Sequence, residues 1–201
     1  MILRYKAFSI ETDENVYEPS DDTYLLMDAF AKIRLNKGLR VLEIGCGSGI
    51  VSVALSKTVG SIVACDINPY AVKLTEKNIQ KNKIKNVKVI KSDLFDGVKG
   101  KFDLIIFNTP YLPQSVDEKV TGYINKAWDG GCDGRKVIDR FLLEAPPHLF
   151  ENGFLVFVES SLSHYEKSIA FLESCGFRAD IISREKHSFE EIVVIKAEKK
   201  S

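Results

Sequence analysis

Four places in this chain of 201 residues bring together side chains and glycines whose types and spacing could do chemistry. The first is Glu43-Ile44-Gly45-Cys46-Gly47-Ser48-Gly49, where glycines let the backbone approach a ligand that side chains would hold away. It is not a dinucleotide fingerprint, because Ile50 stands at the third glycine position, and it has no GK[ST] ending of a phosphate loop. Nor is it a GxSxG nucleophile elbow, since Cys46 lies two residues before Ser48. The second place is Asp66, about twenty residues beyond the first glycine, where an acid accepts hydrogen bonds from ribose hydroxyls. The plainer reading there is a strand-end turn, Asp-Ile-Asn-Pro, with Asp66 capping the next helix. The third is Asp93 in Ser92-Asp93-Leu94, either an acceptor for the exocyclic amine of adenine or a solvated turn residue. The fourth is Asn108-Thr109-Pro110-Tyr111, a simple turn if alone but a set of cleft-facing acceptors if a buried strand delivers it.

The elements that must position these groups are legible from hydrophobic period. Apolar runs at 40–44, 61–65, 87–90, 102–107 and 154–158 read as strands, and the run before Asn108 is apolar enough to be buried on both faces. Helices are expected from Ser20 through an apolar face of Leu25, Leu26, Ala29, Phe30 and Ile33, then over 50–57, 69–81, 134–145 and 164–175. In the 69–81 helix Ala71, Val72, Leu74, Thr75 and Ile79 should face inward. Two final strands, 178–184 and 189–196, are separated by a polar turn and can pair antiparallel. This alternation predicts one α/β domain over 1–201, with 1–15 as an N-terminal extension, 198–201 as a frayed tail, and ligands at the carboxyl ends of the strands.

Composition narrows the class. Twenty-eight basic and 28 acidic residues give a formal charge of zero, so nothing points to polyanion binding through bulk electrostatics. The longest apolar stretches, 104–107 and 154–158, fall far short of the roughly 18 residues of a membrane span. Residues 1–8 lack the apolar core of a secretory signal. Four scattered cysteines without a CxxC pair read as reduced thiols of a cytoplasmic protein.

Taken together, the four places resemble the seven-stranded class I S-adenosylmethionine-dependent methyltransferases, and residues 108–111 resemble the [N/D/S]PP[Y/F] motif of those that act on planar amide or base nitrogens. The flanks, Val16-Tyr17-Glu18-Pro19-Ser20-Asp21-Asp22-Thr23 and Ala127-Trp128-Asp129-Gly130-Gly131-Cys132-Asp133-Gly134-Arg135 followed by Asp139-Arg140-Phe141, are similar to the HemK-type glutamine methyltransferases of translation release factors. The short form without an N-terminal helical domain is that of the eukaryotic and archaeal branch, and the resemblance runs from about residue 16 to about residue 195. It implies a Rossmann-like, mostly parallel seven-stranded sheet with an antiparallel last strand and helices on both faces. It also implies S-adenosylmethionine as cofactor, with S-adenosylhomocysteine as product, held by Thr23, Glu43, Gly45, Gly47, Asp66, Asp93, Leu94 and Asn108. Asn108, Thr109, Pro110 and Tyr111 would be catalytic, with Asn108 and Tyr111 holding the target: the N5 of the glutamine in the GGQ loop of a class I release factor. A small zinc-binding activator subunit is the implied partner, extending an exposed edge strand at 87–90; neither nucleic acid nor membrane is expected.

One residue departs from the pattern, Thr109 where the family usually has proline. Its carbonyl still supplies the family's acceptor, and preceding Pro110 biases it to an extended backbone, so a looser but intact motif is expected, or else an altered substrate preference. Two acceptors, the Asn108 side-chain oxygen and the Thr109 carbonyl, would orient an amide nitrogen without a general base. Other residues read more plainly: His148, His164 and His187 match no metal spacing, Cys46 and Cys65 are small packing residues, and lysines 77, 81, 83, 85, 88 and 91 form a solvated face or touch RNA. Trp128 packs under the loop or shapes the substrate mouth, and Gly130-Gly131 is a connection or part of the glutamine site. The competing readings are an adenine or guanine amino-methyltransferase and a cofactor-binding scaffold without activity.

Overall fold

In the computed structural model, which describes residues 2–5, 7–113, 124, 127 and 129–200, the short β-branched runs become strands and the amphipathic stretches helices. In chain order these are β1 (Ile2–Tyr5), β2 (Phe8–Glu11), α1 (Asp21–Ala29), β3 (Arg40–Ile44), α2 (Ile50–Leu55), β4 (Ser61–Asp66), α3 (Pro69–Lys81), β5 (Val87–Lys91), β6 (Phe102–Asn108), α4 (Lys136–Glu144), β7 (Leu149–Ser160), α5 (Tyr165–Ser174), β8 (Phe177–Lys186) and β9 (Glu191–Lys199). Seven strands form one sheet in the order β5-β4-β3-β6-β7-β9-β8. The pairings from β5 to β7 are parallel, and β9 runs antiparallel to both neighbours, β7 and β8. The expected antiparallel last strand is therefore present, inserted one place in from the edge.

Central strands carry no polar face because helices cover both sides. Val41, Leu42, Leu104 and Ile105 are fully buried, as burial on both faces requires. From α4, Phe141 sets its ring edge-on against Phe107 of β6 at 5.2 Å and Phe157 of β7 at 5.6 Å, fixing the helix over the ends of the strands that matter most. Pro69 starts α3, and the Asn68 side chain accepts from Tyr70 N at 2.9 Å as the cap. Ala71, Leu74, Thr75, Asn78 and Ile79 form its buried face, while Val72 is only half-buried. Along α1 the buried face is Asp22, Thr23, Leu26, Met27 and Ala29; Leu25 and Ile33 are half-buried, and Ser20 makes no side-chain cap bond. No helix among the described residues is long and apolar enough to cross a membrane.

Both ends of the chain are more ordered than their composition implies. The segment expected as an extension forms the β1–β2 hairpin, docked by asparagine side chains of α3. Asn78 accepts from Glu11 N at 2.8 Å and donates to Glu11 O at 3.0 Å and Ser48 O at 2.8 Å. One turn on, Asn82 accepts from Ser9 N at 3.1 Å and donates to Ser9 O at 2.9 Å. A side-chain amide has the donor and acceptor of a peptide group, so the two asparagines satisfy the hairpin edge much as a strand would. Lys77 and Lys81 close on Glu11, holding its carboxyl down at about 2. At the other end the expected frayed tail is corrected, since Glu198 and Lys199 pair with Arg178 and Phe177 and Lys200 N reaches Gly176 O at 2.8 Å.

Because Asn78 is fully buried and joins the hairpin, α3 and the glycine loop, Asn78→Ala is expected to cost about 2 to 4 kcal/mol, leaving buried backbone groups unpaired. Urea unfolding checks this, with the partly exposed Asn82→Ala as the milder comparison.

Candidate active site

Strand order reverses between β3 and β6, whose register sets Ile44 beside Phe107, so their following loops diverge and leave a crevice. Gly45, Gly47 and Gly49 turn the chain there with φ of 64°, 53° and 77°. A Cβ on Gly45 would lie 3.0 Å from the Phe107 ring, and one on Gly49 would lie 2.7 Å from the Thr75 methyl, so glycine is required for backbone angle and close approach alike. The crevice holds a cleft of about 280 Å³ and a smaller adjoining cavity of about 40 Å³, sharing Tyr17, Gly45, Gly47 and Asn108 in their walls. Val16 packs on Ala71 and Leu74, and Asn68 donates to Asn15 O at 2.8 Å, which brings Tyr17 onto the cleft.

The acids of the four sequence places gather here in different states. Asp66 accepts from Gly47 N at 2.9 Å and Asn68 N at 2.8 Å, bracing the glycine loop against the start of α3. It lines the cleft, burial raises its carboxyl above the usual range, and the helix cap is Asn68. Glu43 lines the smaller cavity, accepts from the Ser52 hydroxyl, and is pushed up to about 8 by burial. Nearby, the Ser48 hydroxyl is buried without a partner among the described residues. Asp93 and Leu94 line the far end of the cleft, with Leu94 at a positive φ of 44° and Asp93 paired to Arg140 at 3.2 Å.

Asn108 ends β6 and lines both cavities. Its Nδ2 donates to Asp22 Oδ2 at 3.0 Å and Thr23 Oγ1 at 3.4 Å, while Oδ1 is buried with no partner among the described residues. Thr23 lines the smaller cavity itself, and its hydroxyl also donates to Asp22 Oδ1 at 3.1 Å. Thr109 is not loose: its hydroxyl donates to Val158 O at 2.6 Å, and the residue is 2% exposed. Where proline would stiffen the turn by its ring, this chain ties the end of β6 to β7 with a hydrogen bond. Pro110 lines the cleft, and burial raises the Tyr111 phenol, with the charges of Asp22 and Glu190 adding to the effect.

Several participants escaped the sequence reading. Asp22, noted only within the flanking segment 16–23, is 6% exposed and bonded to Asn108 across 86 positions of sequence. Arg135, noted only within the glycine-rich segment, is buried, donating to Ser163 O at 2.7 Å, Ser168 Oγ at 2.9 Å and Asp139 at 2.7 Å. Fully buried Glu159 stands 3.6 Å from it, pushed up to about 7 by burial. This cluster clamps the turn at 130–134 behind the Asn108 loop, where a Cβ on Gly134 would lie 2.4 Å from Tyr111 O. Gly130-Gly131 thus abuts the site, and Trp128 lies outside the described residues. Burial raises the Cys46 and Cys65 thiols, which keeps them protonated packing groups. His148 stacks on Phe95 at 4.6 Å and His164 precedes α5, whereas His187 meets Asp21 and Glu185 at the surface, a grouping spacing could not reveal.

A family model, the methyltransferase small domain, matches residues 18–187. A Methanocaldococcus jannaschii protein assigned by name as a protein N5-glutamine methyltransferase is 44% identical over 198 residues, covering 98% of each chain. Methyltransferase HEMK2 of Homo sapiens is 32% identical, covering 90% of this chain and 89% of its own. Among solved structures, E. cuniculi Mtq2, in a complex with Trm112 described as responsible for methylating the eRF1 translation termination factor, superimposes with a TM-score of 0.73 at 28% identity, covering 92% of this chain and 99% of that one. The M. jannaschii tRNA m1G37 methyltransferase shares the fold at a TM-score of 0.70 and 22% identity, over 100% of this chain and 57% of that one.

Two outcomes test the site's physics apart from any activity. Thr109→Val should lower stability by about 1 to 2 kcal/mol through loss of the Val158 bond, read by urea unfolding. For Glu43, a folded value of about 8 above the ordinary 4.5 means the native state holds a proton that the unfolded chain has released, so its contribution to stability falls as pH rises through that window. Glu43→Gln, neutral throughout, should flatten the dependence of unfolding free energy on pH between those values; an unchanged slope refutes the assignment.

Proposed function

Because the chain belongs to the methyltransferase small-domain family, we propose that its cleft binds S-adenosylmethionine and that the protein methylates the side-chain N5 of the glutamine in the GGQ loop of a class I translation release factor. The observation that carries this reading is the buried Asn108 Oδ1, an acceptor without a partner among the described residues, at the end of β6. Such an atom is costly to bury unless a ligand donor meets it. A primary amide offers two N–H donors on a planar group, which suits Oδ1 and the neighbouring Thr109 carbonyl.

The residues present fit the cofactor. Glycine backbone at Gly45 and Gly47 and the unpartnered Ser48 hydroxyl suit its amino-acid end beside Glu43, Asp66 suits the ribose, and Asp93 with Leu94 suits the adenine. When bound, S-adenosylmethionine supplies an electrophilic sulfonium methyl group.

An amide nitrogen is a poor nucleophile because its lone pair is delocalised into the carbonyl. Asn108 and the Thr109 carbonyl accept its two N–H bonds, favouring a pyramidal nitrogen and directing its lone pair along the line of attack. The same acceptors bond more strongly as positive charge grows on nitrogen, so they favour the transition state over the bound substrate. Tyr111 packs its ring on the amide plane, Pro110 stiffens the loop, and Thr109 keeps its carbonyl in place through Val158. No side chain has to deprotonate the amide beforehand: as the N–CH3 bond forms the S–CH3 bond breaks, leaving S-adenosylhomocysteine, and the methylated nitrogen then releases one N–H proton to water, which restores the neutral conjugated amide.

A nucleic-acid target fits the surroundings less well. The chain carries no net charge, and the cleft mixes Lys136 and Arg140 with Asp66, Asp93 and Asp129, which does not make the basic track that a phosphodiester backbone needs. The reading of an activator partner is supported by β5 standing at the sheet edge, a position that an added strand can extend by main-chain pairing. The free cysteines, two of them buried, support the reading of a protein of the reducing cytoplasm.

Labelled methyl from S-adenosylmethionine should appear on a cognate release factor with an intact GGQ loop and not on a glutamine-to-alanine loop, with and without activator. Asn108→Ala should cut turnover about 100- to 1,000-fold while leaving cofactor affinity measurable. Label on RNA or DNA and none on protein would move the function to nucleic acid.

A further inference from the structure

The Asn108 amide can sit in two flips, and only one presents an acceptor to a target N–H. Its partners decide which. One Nδ2 hydrogen is directed to Asp22 Oδ2 at 3.0 Å and Thr23 Oγ1 stands 3.4 Å away, so the donor end faces α1 and Oδ1 is left open. In the opposite flip Oδ1 would face the Asp22 carboxylate, oxygen against oxygen with no proton between them.

Asp22 is itself fully engaged. Its Oδ1 accepts from Thr23 N at 2.6 Å and Thr23 Oγ1 at 3.1 Å, and the Tyr17 hydroxyl lies 3.4 Å from both carboxylate oxygens. Buried, with both oxygens committed inside the protein, it is poorly placed to take a proton from substrate directly. A carboxylate in that position polarises the amide it touches, drawing positive charge toward Nδ2 and electron density toward Oδ1.

Resting on the proposed function, we propose that Asp22 is a positioning residue for the methyl transfer: it selects the flip of Asn108 that exposes Oδ1 and, by its charge, strengthens Oδ1 as an acceptor while positive charge grows on the target nitrogen. Catalysis at the end of β6 is then set from the first turn of α1, through a bond that touches neither substrate nor cofactor.

The test uses the full chain with its activator and a GGQ-containing release factor. Asp22→Ala should lower kcat about 100-fold with the KM for cofactor within about two-fold of wild type. Asp22→Asn, which can still accept the Nδ2 hydrogen but carries no charge, should recover part of that loss. In an Asn108→Ala background Asp22→Ala should add little, because the two act as one unit; an equal cost in both backgrounds overturns the proposal. A readout independent of substrate is the Asn108 side-chain amide signal in a 1H–15N spectrum, assigned by its disappearance in Asn108→Ala. It should shift and exchange faster in Asp22→Ala and Asp22→Asn, and an unmoved signal overturns the orienting role. If wild type labels no release factor yet the signal responds to Asp22, the substrate reading falls and the orientation of Asn108 stands.

Discussion

Everything at the site depends on how closely β3 and β6 can lie side by side where the strand order reverses. Their pairing brings the Phe107 ring within 3.0 Å of where a Cβ on Gly45 would be, so the strands can diverge into a crevice only if that position has no side chain. Once glycine is there, the backbone turns through a left-handed conformation and its N–H groups become available, one of them to Asp66. The cleft is a consequence of topology made sterically possible by one missing carbon.

A second constraint is electrostatic. Asp22, Glu43 and Asp66 gather at the carboxyl ends of the strands without an opposing lysine or arginine among their described contacts there. Burial raises Glu43 and Asp66, whereas Asp22 collects backbone, hydroxyl and amide donors. The site tolerates this concentration of acid because its donors are mostly neutral dipoles, fixed by α1, α3 and the glycine loop. Lysine and arginine stand elsewhere in the cleft or behind it: Lys136 and Arg140 line it at its Asp93 end, where Arg140 pairs with Asp93, and Arg135 meets Glu159 behind the turn at 130–134. That arrangement suits a reaction in which positive charge develops in the cleft.

Thr109 illustrates how a motif can keep its geometry while changing its chemistry. Proline restrains the backbone by its ring, whereas threonine here restrains it by donating to a carbonyl of the adjacent strand, a bond that exists only because β6 and β7 are in register at Asn108 and Val158. The residue looks permissive in sequence and is tightly held in the fold.

Much was legible before any coordinates. Hydrophobic period located the parallel strands, Pro69 opened α3, and Asp66 as the last residue of β4, Asp93 just after β5 and the Asn108 loop stand at strand ends as their spacing implied. Those features are local, decided within a few residues by sterics, solvation and turn chemistry. The docking of the β1–β2 hairpin by Asn78 and Asn82, the placement of β9 between β7 and β8, the Arg135–Glu159 clamp and the bond from Asp22 to Asn108 were not legible. Each joins groups far apart in the chain, and neither propensity nor period constrains such partners. Sequence alone located the helices and strands of the main sheet, though not the β1–β2 hairpin or the end of β9; only the tertiary structure decided those and which polar atoms meet, because pairing at a distance depends on the path of the whole chain.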